Sequence, residues 1–280
     1  MRLATLHRYP VKSFGGESLA RLGVERQGLA GDRRYMAVTL TGAFVTARDV
    51  PQMLLIAATA REGGLRLAHA AHGVIDVMEP GNDAERQMVQ VWRSEVPARV
   101  CDAATNAWLS RVLGRDVRLV FMADVSARTV NQDVGGPEDT VSFADGYPLL
   151  LASAASLDDL NSRMAERRGG FGEACEMVRF RPNVVVEGAG AWDEDTWRVV
   201  KIGAVRFRVM KPCDRCVMTT LDPVTAEKAE DNEPLRTLGT FRRNTLGRIM
   251  FGQNLIPMEL GSVATGDAVE VIERGASNLG

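Results

Sequence analysis

Short runs of alternating apolar and polar residues recur along this chain, each cut off after a few positions by glycine, proline or a polar turn. Residues 2–8 alternate up to Tyr9-Pro10, where the missing proline N–H ends a paired strand. A loop over 23–31 holds three glycines, and residues 33–40 read as the next strand with Arg33 at its mouth. Further strand-like runs cover 43–47, 54–61, 65–68, 74–78 and 88–93, a spacing that predicts a barrel or sandwich. Asp102 is placed to cap a helix with Ala104, Ala107, Trp108, Leu109 and Val112 on its apolar side and Gly114 as its stop. Residues 117–121 follow as a strand.

From 123 to 147 the chain turns polar and rich in Asp, Gly and Pro, which marks an inter-domain connection or an active-site loop. The expected division is an N-terminal β-rich domain over residues 1–122 and a second β-barrel domain over 123–280. In the second, 148–153 reads as a buried strand. Ser156 with Asp159 forms a capping box for a helix bearing Leu157, Leu160 and Met164. Strands are expected over 183–187, 197–202, 205–210 and 217–221, with Gly203-Ala204 a tight reversal. A short helix should follow Pro234, a hairpin broken at Gly266-Asp267 should span 263–273, and 275–280 should be disordered. The fold class is mainly β with a few helices.

At 280 residues and 45% hydrophobic, the chain can pack two cores. A net charge of −2 with dispersed basic residues argues against a nucleic-acid or anionic-membrane partner. Residues 1–8 lack a signal-peptide core, and no run of roughly 18 apolar residues occurs. A cytoplasmic protein with reduced thiols and no membrane contact is the expectation.

Candidate chemistry concentrates in Lys211-Pro212-Cys213-Asp214-Arg215-Cys216-Val217-Met218-Thr219-Thr220-Leu221-Asp222-Pro223, which holds two of the four cysteines. Read as a strand, it sets Cys216 with Asp214 on one face and Cys213 with Arg215 on the other. Lys211 and Arg215 favour a thiolate if they face the sulfur. Two nearby cysteines can equally be core filling. A thioredoxin-like pair belongs between a strand and a helix, and a structural zinc needs four ligands, for which Cys101, Cys175, His7, His69 and His72 have no suitable spacing. Lys12 falls in a loop, where a solvated surface lysine is the plain alternative, and Arg33 at its strand's mouth can fork two donors toward a phosphate or pair with the neighbouring Asp32; neither is expected to hold the core together. Asp222 reads as a turn-former before Pro223.

Phe180-Arg181-Pro182-Asn183, the Cys213–Pro223 stretch, Glu233-Pro234-Leu235 and Phe251-Gly252-Gln253 together resemble the ordered signatures of the MOSC family of molybdenum-cofactor proteins. Tyr9-Pro10-Val11-Lys12-Ser13 and Gly31-Asp32-Arg33 resemble the N-terminal domain of its amidoxime-reducing branch. The resemblance implies molybdenum-molybdopterin, with Cys216 as metal ligand and catalytic centre. It implies Lys12, Ser13, Arg33, Ser153, Arg181, Asn183, Thr219 and Thr220 as cofactor contacts, in a site between the domains. The implied reaction is reduction of N-oxygenated small molecules such as amidoximes, hydroxylamines and N-hydroxylated bases. With no cysteine beyond Cys216, the chain is not expected to hold an iron–sulfur cluster, so the electrons are assigned to a separate ferredoxin-type or flavin protein. A carrier of the cofactor or of persulfide sulfur through Cys216 is the alternative.

Overall fold

The computed structural model describes all 280 residues. Its largest sheet runs Val269–Arg274, Trp197–Ile202, Val205–Asp214, Met250–Pro257, Leu149–Ser153, Val184–Glu187, Arg2–Arg8 and Glu17–Ser18. One pair is parallel: Leu149–Ser153 beside Val184–Glu187, with helix Ala154–Arg167 in the connection between them. A parallel pair needs such a crossover.

The first strand of the chain, with Glu17–Ser18 on its outer side, therefore lies in a sheet whose other strands all come from residues 149 onward. Leu3 opposes Val186 and Thr5 opposes Val185, so Ala4 is an extra residue in the ladder. That bulge lets Leu3 and Leu6, three positions apart, both turn inward. They join Trp197, Val200, Phe207 and Leu255 in one core. Arg21–Glu25 is drawn across in the same way, pairing with Gly261–Ala264.

Residues 35–121 supply a four-stranded sheet, Tyr35–Val38, Arg118–Phe121, Ser94–Val100 and Arg86–Val91, and a meander of Ala57–Arg61, Gly64–His69 and Gly73–Met78. Helix Ala103–Leu113 packs Trp108 and Leu109 into the core they share. It is capped as expected: Asp102 accepts the Thr105 N–H, and Gly114 adopts φ 63° at its end. The mainly β fold class holds.

Several local expectations fail for physical reasons. Residues 43–47 make only isolated bridges, Phe44 to Val38 and Ala43 to Gln90. The strand expected at 217–221 is a 3-10 turn, Val217–Thr220, because the Thr219 and Thr220 hydroxyls bond back to the carbonyls of Cys216 and Val217. The hairpin over 263–273 does not form. Gly261–Ala264 and Val269–Arg274 pair instead with Arg21–Glu25 and Trp197–Ile202. The C-terminal residues are held, not disordered: Gly275 N–H reaches Thr196, Asn278 N–H reaches Asp195, and the Asn278 amide bonds Gln253.

Ser156 does not cap its helix, which starts at Ala154. It is buried and donates to both carboxyl oxygens of Glu194, at 2.7 and 2.9 Å. Burial pushes the Glu194 carboxyl up to about 7, the Ser156 bonds offsetting part of the rise. Because this folded value lies above the unfolded one, the contribution is complete in acid and lost as pH climbs through about 7. Stability to urea should thus fall between pH 5 and pH 8 by on the order of 3 kcal/mol from this group. Glu194→Gln should flatten that fall; parallel pH profiles for the two proteins would assign it elsewhere.

Candidate active site

Because Arg2–Arg8 runs antiparallel to Val184–Glu187, with Leu6 opposite Val184, the chain leaving the first strand arrives beside the residues entering the second. The His7 N–H bonds the Asn183 carbonyl at 2.8 Å. Register alone thereby sets Tyr9–Ser13 against Phe180–Asn183. The end of Val205–Asp214 and the following turn bring Cys213 and Cys216 to the same place. Between them opens a cleft whose empty space is about 820 Å³ when its solvent-open mouth is included. Lys12, Arg33, Arg48, Arg179, Arg181 and Arg215 line it, against the carboxylates of Asp145 and Asp214. Cations thus outnumber carboxylates along its wall, a balance that favours an anion over a cation there.

The two sulfurs have different partners. Arg48 Nε donates to Cys216 Sγ at 3.2 Å. Arg215 Nη1 donates to Cys213 Sγ at 2.9 Å, while its Nη2 holds the Phe180 carbonyl at 2.6 Å. Both cysteines are half-buried on the cleft wall. Of the two cations that would favour a thiolate by facing a sulfur, Arg215 does so and Lys211 stands over the Tyr147 ring, while Asp214 pairs with Arg248 at the surface.

Of the residues singled out in the sequence, Lys12, Ser13, Arg33, Arg181, Asn183, Cys216 and Thr219 line the cleft; Ser153 and Thr220 do not. The Ser153 hydroxyl is buried without a partner. Three of the lining residues have left-handed backbones, Ser13 at φ 69°, Arg33 at 48° and Arg181 at 54°. Strain of this kind gathers at ligand sites. Arg181 donates to the Phe14 carbonyl at 2.6 Å, yet its Nη2 is buried with no partner, as is Arg215 Nε. Unpaired buried donors in a cationic cleft fit an anionic ligand.

Lys12 and Arg33 also support the structure, which was not expected of Lys12, while the Asp32 pairing was the alternative weighed for Arg33. Lys12 is buried, donating to the Phe143 carbonyl at 2.9 Å and to Asp145. Arg33 pairs with the buried Asp32 at 2.7 Å and bonds Asn183 Oδ1 at 3.1 Å and the Arg181 carbonyl at 3.2 Å. Asn183 cross-links strands as well, accepting from the Leu150 N–H and donating to the His7 carbonyl. Tyr9 lies between two guanidinium groups, Arg33 at 4.6 Å and Arg181 at 4.2 Å from its ring centre.

Electrostatics follow from this crowding. Burial lowers the Lys12 ammonium, with Asp145 offsetting part of the drop. Burial, then the neighbouring Arg33, pushes Arg181 down to about 10. Burial would raise the Asp145 carboxyl, but Lys12 and Arg48 outweigh it and hold that group well below the usual carboxylate range. Asp222 accepts the Val224 and Thr225 N–H groups and pairs with Arg179, which makes it a turn-former.

Arg48 and Asp145 are the functional candidates that sequence reasoning missed. Asp145 falls in the polar 123–147 stretch already marked as loop of either kind. Arg48 lies in a Thr46-Ala47-Arg48-Asp49 turn with no local signal, and its partner Cys216 is 168 positions away.

Residues 1–116 match the MOSC N-terminal beta barrel domain and residues 138–270 the MOSC domain. The mitochondrial amidoxime-reducing component 1 of Homo sapiens is 31% identical over 96% of this chain and 82% of its own length. The mitochondrial amidoxime reducing component 2 of Bos taurus is 32% identical over 84% of this chain and 70% of its own. The molybdenum cofactor sulfurase of Arabidopsis thaliana is 32% identical over 89% of this chain, which spans 32% of that larger protein. These matches tie the chain to molybdenum-cofactor chemistry. They also overturn the cytoplasmic expectation, since the amidoxime-reducing relatives are mitochondrial by name. No helix is long and apolar enough to cross a membrane. The chain belongs to the MOSC proteins in which an N-terminal β-barrel domain precedes the MOSC domain, and it resembles the amidoxime-reducing components among them.

Proposed function

We propose that this chain is a molybdenum-cofactor-dependent reductase of N-oxygenated compounds. Overall, an N–OH compound takes up two electrons and two protons and yields N–H and water. The observation that carries the reading is the Cys216 thiol beside Arg48 in a cleft whose cations outnumber its carboxylates. A soft sulfur ligand suits molybdenum held by dithiolene sulfurs. Buried donors and cations suit the phosphate of molybdopterin.

In this reading Cys216 ligates the metal, Arg181, Arg33 and Lys12 face the phosphate with Ser13 and Asn183, and Thr219 holds the Cys216 carbonyl in its turn. The bound cofactor supplies the oxygen-atom chemistry. The protein's share is orientation: Arg48 holds the sulfur from one side, and the strand register keeps both sources of cations in place. Electrons come from a separate ferredoxin-type or flavin protein. Cys101 and Cys175 are buried in two different cores.

Purified protein should contain close to one molybdenum per chain and reduce benzamidoxime with an artificial electron donor, but not with NADH alone. A protein that loses its metal readily and turns nothing over supports the second reading, a cofactor or sulfur carrier through Cys216, which the sulfurase relative favours.

A further inference from the structure

The hairpin between strands Arg86–Val91 and Ser94–Val100 closes through two residues, Trp92 and Arg93. Trp92 has φ 55°, a conformation such turns leave to glycine, asparagine or aspartate. For a bulky residue it is an outlier, and such strain persists only where the surroundings over-determine it, commonly at ligand sites.

Two of the residues that hold Trp92, Arg48 and Asp145, line the cleft, and Trp92 packs on them from outside its lining. Its Nε1 donates to Asp145 Oδ1 at 3.3 Å, the Arg48 guanidinium carbon stands 4.7 Å from its ring centre, and Phe44 packs tilted at 5.1 Å. Arg48 itself donates to Cys216. A single side chain thus separates the indole from the sulfur, while 40% of Trp92 stays exposed. Trp108 and Trp197 are buried and Trp192 is half-buried, so the most exposed tryptophan is the one packed on Arg48 and Asp145 of the cleft wall.

We propose that Trp92 is a stacking platform for the flat, conjugated body of the substrate, selecting aromatic amidoximes over small hydroxylamines. The selectivity rests on the reductase reading above. An aromatic face gains most from stacking when it is already immobile, since no rotamer freedom is then lost on binding. Asp145, Arg48 and the turn hold the indole in this way. A compound without a π system gains nothing from it.

The test uses molybdenum-loaded protein with an artificial donor and two substrates. Trp92→Gly, which suits the turn, should raise KM for benzamidoxime roughly five- to tenfold, the size of one lost stacking contact. KM for hydroxylamine should stay within about twofold, and molybdenum content should not change. Trp92→Phe, which keeps a flat ring, should retain most of the benzamidoxime affinity. Benzamidoxime should also quench tryptophan emission of the wild type, and that of Trp92→Phe far less. Equal changes in KM for both substrates, or none for either, overturn the platform while leaving the reductase in place. A loaded wild type that turns over neither compound overturns the reductase reading, and the selectivity falls with it.

Discussion

Cys216→Ser is expected to lose at least a hundredfold in benzamidoxime reduction, whereas Cys213→Ser should keep activity within about threefold of the wild type. Loss of a metal's own ligand should exceed the roughly 10- to 100-fold cost of disturbing the groups around it. The two cysteines share a cleft but not a partner, Arg48 serving Cys216 and Arg215 serving Cys213. Absorption at the molybdenum edge should show one sulfur fewer in Cys216→Ser and no change in Cys213→Ser. Equal loss in both variants would make the pair a redox dithiol and end the single-ligand reading.

The second large effect is on Arg33. Its guanidinium is the ion-pair partner of Asp32, whose side chain has no solvent exposure and otherwise accepts only the Tyr9 N–H at 2.9 Å. Arg33→Ala leaves that carboxylate buried and uncompensated, which costs on the order of 3 to 5 kcal/mol. It also removes the fork that joins Asn183 to the Arg181 carbonyl. Urea unfolding should register the stability loss, and purified protein should hold less than about half the wild-type molybdenum if a phosphate contact is lost too. Adding Asp32→Asn to the same protein separates the two effects. The double variant should recover much of the stability, because no charge is stranded, but not the metal. Recovery of both would reduce Arg33 to a structural residue.

Much of this molecule was legible from neighbours in sequence. Alternation located Arg2–Arg8 and its end at Tyr9-Pro10, and Asp102 and Gly114 bounded their helix, because strand and cap rules act over two to four residues. Lys12, Arg33, Arg181, Asn183 and Cys216 were singled out because the short motifs that carry them resemble those of the MOSC family, and the fold brings all five to one cleft. Local rules failed where a competing local bond won, as at Thr219 and Thr220, whose hydroxyls turn the backbone away from a strand.

Only the tertiary structure decided which strand lies beside which. The alternation of residues 2–8 says that one face is buried, not that it is buried against Val184–Glu187, and the pairing of residues 263 and 269 with distant strands rather than each other is likewise silent in the sequence. The same holds for the side-chain contacts that complete the cleft. Lys12 meets Asp145 across 133 positions and Arg48 meets Cys216 across 168. Contacts of that span are set by sheet register and core packing, which depend on every strand at once, and so no window of a few residues contains them.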